Sequence, residues 1–266
     1  MEVAIFEDHL RVSRDDKIFV RPESSFPILA PESPLPPGVI FIDAIDDLRK
    51  VGENGVVAAI WKPAWHQELL DACYTTNLIS RCRPNIFSEA VYWPWRYRLD
   101  EANTVIASLR NSSLSDNLEF DPLFSCIKSG VSYSVIKKTF ETMAEALLRT
   151  SKLDHTLQST GRLQASYPGF QDSLHRDGNP TSPYMQGLVC FNGQGTWILV
   201  PPPGNPPPSL IPKQSFAEMD GFRSDVYQVP VGCPIFWYND LVHSGATVLR
   251  PRNVRLIGIL ATAKAE

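Results

Sequence analysis

The hydrophobic pattern of the chain changes period near residue 160. Before that point the clearest signal is helical. Over 132–149, Val135, Phe140, Met143, Ala146 and Leu147 recur at a spacing that gathers them on one stripe of a helix. After it, short apolar runs alternate with turns of Gly, Asn, Asp and Pro. These runs predict strands at 162–167, 173–176, 185–191, 196–200, 225–229, 233–238, 242–244 and 254–260. Many short strands with regular turns suggest a sandwich or barrel. In the first half, 40–42 and 56–61 read as strands, the second apolar throughout and so expected to be buried on both faces. Pro63 predicts a helix that starts with this proline in its first turn and runs to about Tyr74. Ser88 opens a candidate helix that Pro94 would break or kink, and a further helix is expected over 99–109.

Proline adds two features. The run "PESPLPPG" (31–38) is expected to be extended and polyproline-like. The run "PPPGNPPP" (201–208) can be neither helix nor central strand, so it is expected as a loop at the edge of the strand-rich region.

Composition narrows the class. The chain has 266 residues, 43% hydrophobic and 20% charged, ordinary for a globular protein with an ample core. The expectation is a single domain, 1–266. In it, 1–160 is a helical and extended elaboration lending one or two strands to a sheet, and 161–266 is the core. The net charge of −4 argues against a nucleic-acid substrate, which would need a cationic track. No apolar run approaches 18 residues, so no membrane-spanning helix is expected. The polar start "MEVAIFEDHLRVSRDDK" does not read as a secretory signal, and the expected location is intracellular, in the cytoplasm. The five cysteines are odd in number and form no Cys-x-x-Cys, which suits reduced thiols. Cys190 and Cys233 read as small core residues rather than nucleophiles.

The candidate chemistry lies at His175, Asp177 and His243. Alternate residues of a strand share a face, so His175 and Asp177 can reach one metal ion. A histidine from a distant strand completes a facial triad of two imidazoles and a carboxylate, the set for a non-haem iron(II) site with open positions. Zinc is the competing metal, although catalytic zinc more often takes three His or two His and a Glu. The plain alternative is a surface His and Asp in a turn plus a separate loop His. His155 reads as a helix-end or loop residue. His9 and His66 receive no function, and Trp197 and Trp237 read as core.

The segments "SYPG…LHRDGNP" and "GCPIFWYNDLVHSGA" resemble the first-ligand segment and the distal-histidine segment of the iron(II)/2-oxoglutarate-dependent dioxygenases, in the prolyl-hydroxylase-like branch. The resemblance runs from about Gly161 to the end of the chain. It implies an α+β fold with a mainly β core: a double-stranded β-helix, jelly roll or cupin-like, with an N-terminal helical elaboration. It implies Fe(II) at His175, Asp177 and His243, with 2-oxoglutarate and O2 as cosubstrates. Relatives carry an arginine for the far carboxylate of 2-oxoglutarate about nine to twelve residues past the distal histidine. Arg255 and Arg252 both fit, and Arg255 is preferred because "RLIGIL" reads as a strand. Tyr167 would donate its hydroxyl to the same cosubstrate, or else is a core tyrosine with a backbone partner. Arg162 and Gln164 share one strand face. Turned inward they would hold a carboxylate or amide of the substrate; turned outward they are solvated.

The function expected from this reading is oxidation of a C–H bond of a small molecule, such as an amino acid. Succinate and CO2 are released, and the outcome is hydroxylation, desaturation or ring closure. The rival readings are a zinc-dependent hydrolase using the same triad and a non-catalytic barrel that binds a partner through its proline-rich loops.

Overall fold

The computed structural model describes residues 28–29, 35–75, 91–99, 105–109, 131–150, 157–166, 185–192, 195–200, 225–238, 241–244 and 255–264. Their strands are β1 (Ile28–Leu29), β2 (Val39–Ile42), β3 (Ala58–Trp61), β4 (Val91–Leu99), β5 (Val105–Leu109), β6 (Leu157–Ser166), β7 (Gln186–Asn192), β8 (Trp197–Val200), β9 (Asp225–Gln228), β10 (Ile235–Trp237), β11 (Val242–Ser244) and β12 (Arg255–Lys264). The helices are α1 (His66–Thr75) and α2 (Val131–Thr150), with a 3-10 turn at Ile45–Lys50. The strands form two mixed sheets. The larger runs β2-β3-β10-β7-β12-β6-β4-β5 and the smaller β1-β9-β8-β11.

The pleat of the larger sheet sorts its apolar residues into two cores. Ala59 and Trp61 of β3, Val189 and Phe191 of β7, Phe236 of β10 and Leu260 of β12 pack with α2, where they meet Val135, Ile136, Phe140, Met143 and Leu147. Their alternate neighbours Ala58, Ile60, Leu188, Ile235 and Trp237 pack instead with Ile198, Val200 and Tyr227 of the smaller sheet. Helices therefore cover one face of the larger sheet, and the smaller sheet covers part of the other. This is why β3 carries no polar position: both of its faces are buried. Fully burying side chains the size of Phe140 or Leu147 stabilises the fold by about 1.5–3 kcal/mol each.

Helix α2 lies across β4, β6, β12 and β7. Phe140 stacks with Phe191 at 6.0 Å between ring centroids. The close approach depends on Gly258 of β12, where a Cβ would overlap the Phe140 ring. At the α1 end, the Trp65 indole N–H donates to Thr139 Oγ1 at 3.0 Å, and that hydroxyl donates to the Val135 carbonyl. Lys138 Nζ sits 3.9 Å above the Trp65 ring. No described helix is long and apolar enough to cross a membrane.

Four expectations need correction. The helix over 99–109 is absent, and Val91–Leu99 and Val105–Leu109 are paired antiparallel strands. Pro94 is accommodated in β4 because, among the described residues, the pairing with β5 ends at Trp95 and Pro94 has no strand partner on that side. Pro63 does not sit in the first turn of α1. It accepts a hydrogen bond from the His66 N–H at 2.9 Å in the preceding turn, and the helix starts at His66. The end of "PESPLPPG" is a tight turn rather than an extended lead-in. The Val39 N–H bonds the Pro36 carbonyl at 3.0 Å, with Gly38 at φ 78°. Pro at the second and Gly at the third position are what a type II turn needs. A helix running from Ser88 to Pro94 is excluded as well, because Val91–Trp93 belong to β4. The expected strand at 173–176 and the loop at 201–208 lie outside the described residues.

Candidate metal centre

His243 is the middle residue of β11 and is 2% exposed. It pairs with Ile198 of β8, which pairs with Tyr227 of β9. Directly opposed residues share a face, and Ile198 and Tyr227 belong to the core between the sheets. His243 therefore stands on the inner face of the smaller sheet. Across the gap, its ring lies 5.0 Å from that of Trp237 on the larger sheet.

His243 Nδ1 lies 3.2 Å from the Leu241 carbonyl oxygen. A carbonyl can only accept, so Nδ1 is the donor in this contact, and a neutral ring that makes it carries its lone pair on Nε2. That is the tautomer an imidazole needs to ligate a metal through Nε2 while its other nitrogen is oriented by the backbone. Trp237 supplies a second polar group. Its indole Nε1 is buried and has no hydrogen-bond partner among the described residues. An unmet buried N–H is costly, and at this position it suits an acceptor carried by a bound ligand.

The strand pair that presents Trp237 and His243 is anchored at its start. Val231 and Gly232 form the turn ahead of β10, closed by the Cys233 N–H to the Pro230 carbonyl at 3.1 Å. Gly232 has φ 78°, the left-handed region that glycine adopts without steric cost. His66 of α1 donates from Nε2 to the Val231 carbonyl at 2.9 Å and holds this turn against the helix. Sequence reasoning assigned His66 no part; only the contact across 165 residues reveals it.

Cys233, at the same turn, is buried, and burial pushes its thiol up to about 12, with the Lys62 ammonium offsetting this only in part. A thiol held protonated at neutral pH is no nucleophile, in line with the reading of Cys233 as a core residue. Burial, with a smaller contribution from Glu53, also raises the Tyr238 phenol.

Of the three expected ligands, the structure places His243. His175 and Asp177 lie outside the described residues, as do Arg252 and Tyr167. Among the described residues alone, no group of three or more His, Cys, Asp or Glu is poised to hold a metal ion. Arg255 opens β12, paired with Ser166 of β6. Arg162 and Gln164 pair with Ile259 and Ile257 of β12. Ile257 is buried and Ile259 packs in the core between the sheets, so Arg162 and Gln164 occupy positions on the same face of the larger sheet as that core.

No protein-family model matches the chain, and no curated protein matches it in sequence. Solved structures do. The protein IDO from Bacillus thuringiensis is similar over 84% of this chain and 96% of its own, at 10% identity and a TM-score of 0.44. The Fe(II)/α-ketoglutarate-dependent dioxygenase TqaL is similar over 74% and 75%, at 12% identity and 0.44. A 2OG-Fe(II) oxygenase-family oxidoreductase from Burkholderia pseudomallei is similar over 86% and 98%, at 13% identity and 0.40. At these values the functional reading rests on the chain's own residues.

Proposed function

We propose that this chain is a non-haem iron(II) oxygenase that couples oxidation of a C–H bond in a small molecule to conversion of 2-oxoglutarate and O2 into succinate and CO2. The observation that carries the reading is the buried His243 on the inner face of the smaller sheet, with its proton on the Leu241 side and its ring beside an indole N–H with no described partner. It stands in the segment that resembles the distal-histidine strand of such enzymes. In this reading the paired sheets are the two halves of a double-stranded β-helix, and His175 and Asp177 join His243 as ligands. Strands β6 and β7 both pair antiparallel with β12 and so run parallel.

When bound, iron(II) with 2-oxoglutarate supplies the O2-dependent oxidising chemistry that no side chain can supply. The protein's part is binding, orientation and exclusion of water. His243 is held in one tautomer by Leu241. Arg255 takes the far carboxylate of 2-oxoglutarate through a charged, bidentate fork. Its position at the start of β12, two and four residues before Ile257 and Ile259, supports this reading. Arg252 is the alternative, and Tyr167 adds a hydroxyl donor to the same cosubstrate. Arg162 and Gln164 hold the substrate. Ile198, Tyr227 and Leu241 keep the surroundings of His243 dry.

The test is optical. Anaerobic protein given Fe(II) and 2-oxoglutarate together should develop the weak visible charge-transfer band of the chelate, and neither component alone should produce it. No band, with hydrolysis that requires zinc and neither 2-oxoglutarate nor O2, would replace this reading with the zinc hydrolase.

A further inference from the structure

The inner wall opposite His243 holds a donor that the fold itself does not use. Trp237 is the last residue of β10 and is fully buried. It pairs with Ala58 of β3 and with Gln186 of β7, and Ile235 stands two residues before it on the same face. Ala58 and Ile235 have no side-chain acceptor. Gln186 is buried beside it and carries an amide oxygen, but the indole N–H does not bond it. Ile198, Tyr227 and Leu241 pack in the same core, and none of them accepts the proton either. Among the described residues, Trp237 Nε1 has no hydrogen-bond partner. At Trp65, by contrast, the indole N–H is met by Thr139 Oγ1.

The donor stands beside the candidate ligand. The Trp237 and His243 ring centroids are 5.0 Å apart, with the planes tilted by 58°. His243 Nδ1 is engaged by the Leu241 carbonyl, which leaves Nε2 for a metal ion at about 2.0–2.1 Å. Groups bound to that ion beside His243 then stand about 3 Å from Nε2 by octahedral geometry. An indole this close to the imidazole is within reach of that zone. Phe would fill the same place in the wall without burying an unmet donor, which is costly. Trp at this position is accounted for by an acceptor that arrives with the bound molecule. The Ser159 hydroxyl is also unmet, but Ser159 pairs with Thr262, which shares the face of Leu260 and α2, away from His243.

We infer that Trp237 is a cosubstrate-binding residue whose indole N–H donates to the carboxylate with which the 2-oxo acid chelates the metal. This rests on the oxygenase reading of the His243 centre and adds a residue to it. The two ends of 2-oxoglutarate are then held by different chemistry. Arg255 takes the far carboxylate, and the near one, fixed to the ion beside His243, accepts from Trp237. Of the groups that the reaction brings to this ion, that carboxylate carries a full negative charge, and hydrogen bonds to an ionised acceptor are the stronger ones. The apolar, buried neighbours Ala58, Ile60, Ile235 and Ile198 keep water from competing for the same proton.

The test titrates the full-length protein with 2-oxoglutarate under anaerobic conditions in the presence of Fe(II), following the charge-transfer band. Trp237→Phe keeps an aromatic ring and removes the N–H. It should bind 2-oxoglutarate about tenfold or more weakly, as loss of a hydrogen bond to a charged group implies. The band maximum should also move, because a contact at the chelating end alters the transition and one at the far carboxylate does not. Fe(II) affinity, measured by equilibrium dialysis without 2-oxoglutarate, should stay within twofold of wild type. Phe is smaller than Trp, so a second variant replaces Trp237 by benzothienylalanine, an isostere with sulfur in place of the N–H. It should show the same loss of 2-oxoglutarate affinity with the wild-type melting temperature. Wild-type affinity in the isostere, an unmoved band, or an equal loss of Fe(II) affinity would each overturn the contact. A wild-type band that both variants share unchanged would remove this contact alone, and no band in the wild type would remove the oxygenase reading and the contact with it.

Discussion

Gly258→Ala probes the layer behind the candidate site. Gly258 lies on β12 where Phe140 of α2 and Phe191 of β7 converge, and a methyl group there would overlap the Phe140 ring. Phe140 is 1% exposed and stacked on Phe191, so it cannot swing into solvent, and the strain falls on the α2–β12 contact. Overpacking of this kind costs about 1–3 kcal/mol. For a chain of this size that corresponds to roughly 2 to 12 °C in melting temperature. Urea or thermal denaturation of four proteins separates packing from backbone effects: wild type, Gly258→Ala, Phe140→Ala and the double variant. Phe140→Ala alone should cost about 3–5 kcal/mol. The double variant should cost little more than that, because the new methyl occupies vacated space, and the coupling should lie in the range of about 0.5–3 kcal/mol seen for contacting residues. Additive losses would refute the reasoning, since they would mean that α2 does not rest on β12 at this point.

Cys233 has a pH signature. Below its ordinary value of 9.0 both folded and unfolded chains keep the thiol proton; between 9.0 and about 12 only the unfolded chain releases it. Stability should therefore fall with rising pH across that window, by about 1.4 kcal/mol per pH unit. Cys233→Ala should remove that slope in urea titrations, and parallel wild-type and variant curves would contradict the burial. Arg255→Ala should raise the 2-oxoglutarate requirement tenfold or more, as loss of a charge-assisted contact worth about 1.5–3 kcal/mol implies, and Arg255→Lys should recover only part. A larger defect in Arg252→Ala would move the assignment to that residue. We propose that residues 1–266 fold as one domain, because β2, β3 and β4 are strands of the same sheet as β7 and β12 and α2 covers that sheet. A fragment starting near residue 155 should be insoluble, and a soluble, cooperatively folding one would refute this.

The parts of the fold that were legible in the sequence are those with a strong local period. Helix α2 was expected over 132–149 and spans Val131–Thr150, because Val135, Phe140, Met143 and Leu147 form a stripe that nothing interrupts. The strand bearing His243 was expected at 242–244 and found there. The β4–β5 pair was misread although its signal is present: Trp93, Trp95 and Tyr97 alternate with Pro94, Arg96 and Arg98. Pro94 reads as a helix breaker in the sequence, but it stands in a strand beyond the end of the β5 pairing, with no strand partner on that side among the described residues. Period two told that Arg162 and Gln164 share a face, and the register adds that they stand opposite Ile259 and Ile257 of β12. The contacts of His66 with Val231 and of Trp237 with His243 depend on tertiary approach and leave no trace in spacing.

Metal binding by the triad tests the central claim most directly. Fe(II) affinity should be measured anaerobically, by equilibrium dialysis with metal analysis, for the wild type and for His175→Ala, Asp177→Ala and His243→Ala, alongside melting temperatures. The account predicts one ion per wild-type chain. It predicts steep loss in His175→Ala and His243→Ala with the fold retained, and weakened binding in Asp177→Ala. Undiminished binding in His243→Ala, or a wild-type chain that takes up no Fe(II), would contradict it.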